Sequence, residues 1–310
     1  MSKHKGSPQA ELPPDHRSGF VAMVGRPNVG KSTLLNAYVG QKIAIVSHKP
    51  QTTRNQIRGV LTQPNAQIVF VDTPGIHQPL HKLGEHMVKA AQHAVPDADA
   101  VLFLVDVSVR PTEEDRLVSQ FLARTCRAPV ILALNKMDLL TADKVQPHTQ
   151  QYLALGGVDE WMMTSATRGD NLDKLLTLVI ERLPFGPRYY PEGQVTDLTE
   201  RFLAAELIRE QVLRLLHQEV PHAVAVVIDE FQERKTDLTY IAATVYVEKD
   251  SQKSIVIGAK GRMLKKIGMS AREEIERMLD TKVYLDLWVK VRPKWRRDEV
   301  ALRHVGYKAS

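Results

Sequence analysis

One pattern limits what this chain can fold into more than any other. Gly25 and Gly30 lie five residues apart, with Lys31 and Ser32 directly after them, between an apolar segment and a stretch of helical periodicity. Residues 18–24 are typical of a buried strand, and residues 31–39 have the spacing of a helix. In that setting G-x-x-x-x-G-K-S is a phosphate-binding loop, whose backbone N–H groups surround a β-phosphate. A glycine-rich turn without a ligand is the alternative, and the flanking strand and helix argue against it.

Further apolar segments alternate with helical ones as far as residue 183. Strands are predicted at 67–71, 100–105 and 130–134, and helices at 87–94, 113–123 and 172–183. This alternation predicts an α/β domain with a mostly parallel sheet and helices on both faces.

A second, smaller α+β domain is predicted after a segment rich in proline and glycine. Its pattern is a helix at 197–217, strands at 223–231 and 240–248, a short helix, a glycine turn, a helix at 262–279 and a strand at 282–291. The predicted divisions are a flexible N-terminal segment at 1–17, the first domain at 18–183, a linker at 184–195, the second domain at 196–292 and a basic C-terminal tail at 293–310.

Two short motifs complete the predicted nucleotide site, one at the metal and γ-phosphate and one at the guanine base. D-T-P-G at residues 72–75 follows a predicted strand, which places Asp72 near a metal ion and the Gly75 N–H near a γ-phosphate. N-K-M-D at 135–138 ends another strand, and Asp138 can accept hydrogen bonds from both N1–H and the N2 amine of guanine. Adenine offers no such pair, so GTP is favoured over ATP by on the order of 2–3 kcal/mol. Backbone N–H groups of residues 164–166 are expected at guanine O6.

Charge and a second glycine motif point to a nucleic acid. Residues 251–310 carry 15 Lys and Arg against 7 Asp and Glu, while the rest of the chain is close to neutral. Within them, G-A-K-G at 258–261 lies between two helical stretches and resembles the loop of a KH domain of the bacterial type, which clamps single-stranded RNA. Ile255, Ile257, Leu264 and Ile267 are expected to anchor the two helices. A solvated basic helix corner is the alternative.

Together these features resemble the Era family of bacterial GTPases over nearly the full chain. The resemblance rests on R-P-N-V-G-K-S, P-Q-T-T-R, D-T-P-G and N-K-M-D, in that order, followed by the KH arrangement. It implies hydrolysis of GTP to GDP and phosphate, binding to 16S rRNA near its 3′ end, and a part in maturation of the small (30S) ribosomal subunit. It also implies that Thr53 is the switch threonine that reaches Mg²⁺, with Thr52 as the competing choice.

The resemblance and the motifs identify four sets of residues. The nucleotide set is Gly25, Arg26, Pro27, Asn28, Val29, Gly30, Lys31, Ser32, Thr33, Asp72, Thr73, Pro74, Gly75, Ile76, Asn135, Lys136, Met137, Asp138, Ser165 and Ala166. The Mg²⁺ set is Ser32, Thr53 and Asp72, the last through a water molecule, and the catalytic set is Lys31, Thr53 and Gly75. The RNA set is Gly258, Ala259, Lys260, Gly261, Arg262, Lys265 and Lys266.

The residue after D-T-P-G predicts slow intrinsic turnover. Many switch GTPases carry a glutamine there that orients the attacking water, whereas this chain has Ile76. Resemblance to the hydrophobic-substituted GTPases implies that Asn28 helps to bind a K⁺ ion in place of an arginine. A simple turn-forming role for Asn28 is the alternative.

The tail and the composition leave several points open. The Era family usually has an acidic segment after its tryptophan, whereas here two arginines follow Trp295, which could stack on a base or pack on the domain. The polar N-terminus, the lack of a run of about 18 apolar residues and the single cysteine predict a cytoplasmic protein, with peripheral contact at the cytoplasmic face of the membrane as a further candidate. A monomer is expected, although no sequence feature indicates the oligomeric state. The rival functions are an RNA chaperone with GTP as a structural ligand, and a membrane-linked signalling GTPase.

Overall fold

The first part of the chain forms a layered α/β domain in this computed structural model, which describes residues 12–307 except 77, 78, 80 and 236. Its elements are β1 (Arg17–Val24), α1 (Lys31–Val39), β2 (Ile57–Thr62), β3 (Ala66–Asp72), α2 (Lys82–Ala94), β4 (Ala100–Asp106), α3 (Glu113–Thr125), β5 (Val130–Asn135), α4 (Ala142–Leu153), β6 (Glu160–Met163) and α5 (Leu172–Arg182). The strand order is β2-β3-β1-β4-β5-β6, and β2 alone pairs antiparallel within this sheet.

Apolar side chains cover both faces of this sheet. Leu34 and Leu35 of α1 and Leu175 of α5 pack on one face, whereas Val118 of α3 and Tyr152 of α4 pack on the other. The strands between them are nearly continuous apolar runs, as expected for strands buried on both faces. The α/β fold predicted from the sequence is therefore confirmed.

The sequence pattern missed three elements of this domain and misplaced one boundary. Both β2 and β6 are strands at the edges of the sheet, where one-sided burial leaves only a weak apolar signal. Pro147 lies inside α4, and a proline there argues against a helix when the sequence is taken alone. In addition, α2 begins five residues earlier than predicted, at Lys82.

The second domain has the predicted order of elements. It consists of α6 (Glu200–Leu215), β7 (Ala225–Lys235), β8 (Leu238–Val247), α7 (Asp250–Ile257), α8 (Arg262–Leu279) and β9 (Lys282–Val291). The sheet order is β7-β8-β9, with β8 antiparallel to β7 and parallel to β9. The buried faces of α6 and α8 pack on one side of this sheet.

Ile255 is a correction to the predicted core of this domain. Its side chain is 45% exposed, and the neighbouring Val256 is the buried residue of α7. Of the other predicted anchors, Ile267 is fully buried, and Ile257 and Leu264 pack against the core as partly buried residues. The error arises because α7 has only eight residues, and its short apolar pattern fits a buried face at Ile255 as well as one at Val256.

The predicted C-terminal tail is not an extension but a folded cap at the domain boundary. A short turn at Trp295–Arg297 leads into α9 (Glu299–His304). Trp295 is fully buried, and its Nε1–H donates to the carbonyl of Ala223 at 2.9 Å. Trp295 shares an apolar cluster with Leu83 and Met87 of α2, so this segment joins the two domains.

The N-terminal segment and the linker also make defined contacts. Residues 1–11 lie outside the described part of the chain, but His16 is buried and its Nδ1 lies 2.8 Å from the carbonyl of Gly186. This corrects the predicted end of a flexible segment at residue 17. In the linker, the carbonyl of Val195 accepts a hydrogen bond from the N–H of Val60 in β2 at 2.8 Å. Within the described residues, no helix is both long enough and apolar enough to cross a membrane.

Candidate nucleotide site and nucleic-acid groove

The phosphate-binding sequence forms a tight turn between β1 and α1. Gly30 has φ of 105°, and a Cβ atom there would lie 2.2 Å from Nδ2 of Asn135. Only glycine therefore allows this approach. Nδ2 of Asn135 donates to the carbonyl of Val29 at 2.7 Å, and Oδ1 accepts from the N–H of Ala166 at 2.9 Å. One side chain thus joins the phosphate loop to two loops that lie far from it in sequence.

A cavity of about 360 Å³ opens over this turn. The predicted site residues that line it are Pro27, Asn28, Gly30, Lys31, Ser32, Thr33, Thr53, Gly75, Asn135, Lys136, Asp138 and Ala166. Other predicted residues support the cavity from behind or beside it, namely Gly25, Arg26, Val29, Asp72, Thr73, Pro74, Ile76, Met137 and Ser165. The motifs thus converge on one place in the fold.

Lys31 lies at the phosphate end of the cavity. Its Nζ donates to the carbonyls of Gly25 at 3.0 Å and Arg26 at 2.9 Å. Burial lowers the pKa of Lys31 to about 8, with Asp72 acting in the opposite direction. A bound phosphate would restore the preference for the charged form, because an anion close to the amine favours its protonation.

Three side chains form a corner suited to a divalent cation. The hydroxyl of Ser32 donates to Oδ2 of Asp72 at 2.6 Å and lies 2.8 Å from Oγ1 of Thr53. Asp72 is fully buried, which raises its pKa to about 6, and among the described residues its Oδ1 has no hydrogen-bond partner. Oxygen ligands from one carboxylate and two hydroxyls are the kind that Mg²⁺ prefers, and the unpartnered buried oxygen fits a site for a cation or its water.

The structure distinguishes the two threonines of the first switch. Thr53 faces Ser32, whereas the hydroxyl of Thr52 donates to the carbonyl of Lys49 at 2.6 Å. Of the two, Thr53 alone has its hydroxyl in the corner formed with Ser32 and Asp72, which favours it for the metal-ligand role that the resemblance implies. Thr52 lines the same cavity without approaching Asp72.

Family comparisons agree with this geometry. Residues 20–136 match the model described as 50S ribosome-binding GTPase, and residues 219–296 match the KH domain model. GTPase Era of Ruminiclostridium cellulolyticum is 48% identical over 295 residues, which cover 95% of this chain and 99% of that protein. The chain belongs to the Era family.

Two solved Era structures share the whole architecture. A crystal structure of Era in complex with MgGDPNP and nucleotides 1506–1542 of 16S ribosomal RNA is 40% identical, with a TM-score of 0.90, and covers 94% of this chain and 99% of that chain. A single-residue variant of Aquifex aeolicus Era bound to GDP·AlF4⁻ is 41% identical with the same TM-score and the same coverage. This Era-family chain is thus a GTPase followed by a KH domain.

Two buried carboxylates outside the predicted motifs hold the site of this Era-family chain, Asp106 at the base-side loop and Asp115 at the phosphate loop. Lys136 donates to Oδ2 of Asp106 at 2.7 Å, and Arg26 pairs with Asp115 at 3.2 Å. Burial acts to raise the pKa of Asp106, but hydrogen bonds from Lys136 and Ser108 outweigh it and hold the pKa below its usual value. Asp106 ends β4 at the same sheet edge as Asn135, which was the available sequence signal.

The three backbone N–H groups that are expected at guanine O6 all have acceptors within the protein in this structure. The N–H of Thr164 donates to the carbonyl of Leu134 at 3.0 Å, and that of Ser165 donates to the carbonyl of Asp170 at 3.2 Å. The N–H of Ala166 donates to Oδ1 of Asn135 at 2.9 Å. The next residue, Thr167, lines the cavity and was missed, as were Ile45, Val46, Ser47, His48, Gln51 and Leu139.

A second cavity, of about 440 Å³, forms a groove in the KH domain. It follows the G-A-K-G turn, where Gly258 and Gly261 have φ of 71° and 74°. Of the predicted RNA set, Gly261 and Lys265 line the groove, while Gly258, Ala259, Lys260, Arg262 and Lys266 form the adjoining turn and first turn of α8. Residues not predicted as RNA contacts complete the lining: Leu264, Gly268, Met269, Arg272, Val283, Tyr284, Leu285 and Leu287.

Replacement of Asp138 by asparagine tests the base contact. We expect Asp138→Asn to weaken GTP binding by about 30- to 150-fold, because one charge-assisted acceptor pair is lost. Isothermal titration with GTP and GDP measures the change. Asp143→Asn in α4 is the matched control, since Asp143 is exposed and lies outside the cavity. An unchanged GTP affinity in the Asp138 variant would remove Asp138 from the site.

Proposed function

We propose that this chain is a GTP-hydrolysing switch that binds 16S rRNA near its 3′ end and takes part in maturation of the 30S subunit. The observation that carries the proposal is that one chain of the Era family has both a cavity lined by the phosphate loop and the N-K-M-D motif and a groove in its KH domain. A relative of the same architecture was solved with a GTP analogue, magnesium and this part of 16S rRNA. Monomeric state and membrane contact stay predictions from the sequence.

Hydrolysis depends on charge neutralisation and positioning. Mg²⁺, held by Ser32, Thr53 and, through water, Asp72, would neutralise charge on the β- and γ-phosphates. Lys31 lies where it can neutralise the same oxygens, and Gly75 brings backbone to the end of the cavity. Ile76 is buried in the apolar core and has no group that could orient water, which supports slow turnover in the free protein.

The stimulus for turnover is the small ribosomal subunit in this proposal. We expect purified 30S subunits to raise the kcat of GTP hydrolysis, because RNA held in the groove stabilises the state in which Thr53 meets the metal. Steady-state phosphate release measures the rate, and 50S subunits at the same concentration provide the control. Stimulation by 50S subunits alone would reject the proposed partner. Tight GTP binding without stimulation by either subunit would favour GTP as a structural ligand.

Asn28 supports a role for K⁺ in the same step. Its side chain donates to the carbonyl of His48 at 2.8 Å, which brings the backbone of the first switch to the phosphate loop. Carbonyl oxygens of such a loop, with the amide oxygen of an asparagine, can bind a monovalent cation near the β- and γ-phosphates. The cation would then supply the positive charge that an arginine provides in other GTPases.

Exchange of the monovalent cation tests that role. We expect kcat to fall by about tenfold or more when K⁺ is replaced by Na⁺, because the arginine equivalent is worth far more than that. Phosphate release is measured at constant ionic strength, with a choline salt as the control for general salt effects. Equal rates in K⁺ and Na⁺ would reject the K⁺ site and leave Asn28 as a turn-forming residue.

The nucleotide and RNA sites are coupled, we propose, through the first switch segment, residues 46–54. Arg209 of α6 is 1% exposed and donates to the carbonyl of Thr52 at 2.5 Å, while Glu206 neutralises its charge. Glu210 of the same helix accepts from the N–H of Val46 at 3.0 Å. The second domain therefore holds the segment on the N-terminal side of Thr53.

Arg54 holds the other side of Thr53. Its guanidinium is 3% exposed and donates to the carbonyls of Val224 at 2.7 Å and His222 at 3.2 Å, and to the hydroxyl of Tyr307 at 3.0 Å. Breaking these contacts would leave a buried cation without partners, at a cost of several kcal/mol. Movement of Thr53 away from Ser32 therefore has to move or strain the second domain, and the γ-phosphate can bias that equilibrium.

A neutral side chain at position 54 should uncouple the two sites. We expect wild-type protein to bind single-stranded 16S rRNA more tightly with a non-hydrolysable GTP analogue than with GDP, and Arg54→Gln to bring that ratio towards one. Fluorescence anisotropy measures both affinities for each variant, so a general loss of stability does not enter the ratio. Arg58→Gln is the control, because Arg58 is exposed and pairs with Asp197 of the polypeptide after the linker. A preserved ratio in Arg54→Gln would reject this route of coupling.

A further inference from the structure

The sheet of the KH domain has a second face that α6 and α8 do not cover, and the C-terminal cap covers only its end at Ala225 and Tyr246. Side chains alternate along β9, and Val283, Leu285 and Leu287 point to the helices and join the core or its border. Tyr284 and Trp288 therefore point to the opposite face, where they are 61% and 60% exposed. Large aromatic side chains grouped on one exposed face can mark a surface that contacts a partner.

Tyr284 is the end of an ordered column of stacked groups. It pairs across the strands with Tyr240 of β8, and the two rings are stacked at 5.8 Å with an angle of 21° between their planes. The guanidinium of Arg234 lies 3.8 Å from the centre of the Tyr240 ring. Because β8 is the central strand, Arg234 and Tyr284 approach Tyr240 from opposite sides, and β9 places Tyr284 at the open edge.

The open end of this column meets the groove. Tyr284 lines the groove together with Lys265 and Arg272 of α8, which supply positive charge on the opposite wall. Lys282, two residues before Tyr284 on the same face of β9, is also exposed. A nucleic acid strand leaving the groove over this edge would thus pass a flat aromatic surface with cations on both sides. These are the two components of single-strand binding surfaces in general.

We propose that Tyr284 is a base-stacking site that extends the RNA path beyond the groove and over the edge of β9. An unpaired base continues the column formed by Arg234, Tyr240 and Tyr284. The column is already ordered by its own contacts, so binding costs little side-chain entropy. The inference rests on the proposed RNA-binding function and adds to it a contact outside the glycine loop.

An ordinary cross-strand pair is the competing explanation. Two tyrosines opposite each other stabilise a sheet modestly, with no ligand involved. That explanation accounts for the stacking of Tyr240 and Tyr284. It does not account for the exposure of Tyr284 at the rim of the groove, and it predicts a change in stability without a change in RNA affinity.

Substitutions at Tyr284 separate the two explanations. The full chain, loaded with a non-hydrolysable GTP analogue, is titrated with a single-stranded RNA that has the sequence of the last nucleotides of 16S rRNA. We expect Tyr284→Leu to weaken binding by about 5- to 150-fold, the range found for loss of one base–aromatic stack. Tyr284→Phe should bind as wild type, because the ring is kept. An RNA of about four nucleotides, which occupies the groove without reaching the exposed ring face of Tyr284 at its rim, should not distinguish the variants.

A fluorescent base reports the stacking directly. With 2-aminopurine placed at successive positions of the longer RNA, one position should be quenched by wild type and Tyr284→Phe and not by Tyr284→Leu. Tyr189→Leu is the matched control, because Tyr189 is also an exposed tyrosine in an aromatic pair, with Phe20, but lies outside the KH domain.

Failure of the stacking site and failure of RNA binding itself would give different results. Wild-type affinity and unchanged quenching in Tyr284→Leu would overturn the stacking site and leave RNA binding in place. Failure of the wild-type protein to bind either RNA would overturn the proposed function itself. Equal losses in Tyr284→Leu and Tyr189→Leu would also overturn the stacking site, since they would point to a general effect of losing an exposed aromatic residue.

Discussion

The arrangement of the two domains depends on where the buried cation of Arg54 finds its partners. A guanidinium removed from water is costly unless acceptors lie nearby, and the acceptors that Arg54 contacts through its two terminal nitrogens are two carbonyls and a hydroxyl of the second domain. The residue before it in the chain is the threonine at the metal corner. Two adjacent residues thus make a contact at the candidate metal site and an interdomain contact, and neither contact can relax without affecting the other.

The positively charged residues in the C-terminal part of the chain have two different roles, which the net charge alone does not distinguish. Arg296 pairs with Glu248 and so ties the C-terminal cap to the end of β8, whereas Arg277 pairs with Glu274 within α8. Lys265 and Lys266 on α8 are exposed next to the glycine turn and have no ion pair among the described residues. The charge available to a polyanion is therefore smaller than the sequence total and is concentrated beside the groove.

How much the sequence could predict depends on whether the interacting residues are close in the chain. The phosphate loop, the D-T-P-G and N-K-M-D motifs and the glycine turn are contiguous, so residue type and spacing were enough to place them. Residues 45–51 of the cavity have no periodicity of their own and are held by α6, which lies more than 150 residues away. The column at Tyr284 depends on the register between β8 and β9, and no pattern within either strand defines that register. Both kinds of contact follow from tertiary structure alone.

The contact between the linker and β2 has a consequence for the solubility of the folded chain. A strand at the edge of a sheet presents N–H and C=O groups that can recruit a strand from another molecule. Here the linker supplies an acceptor, the carbonyl of Val195, to the N–H of Val60 on that edge. The opposite edge is β6, only four residues long. The polypeptide that connects the two domains thus also protects the larger sheet against edge-to-edge aggregation.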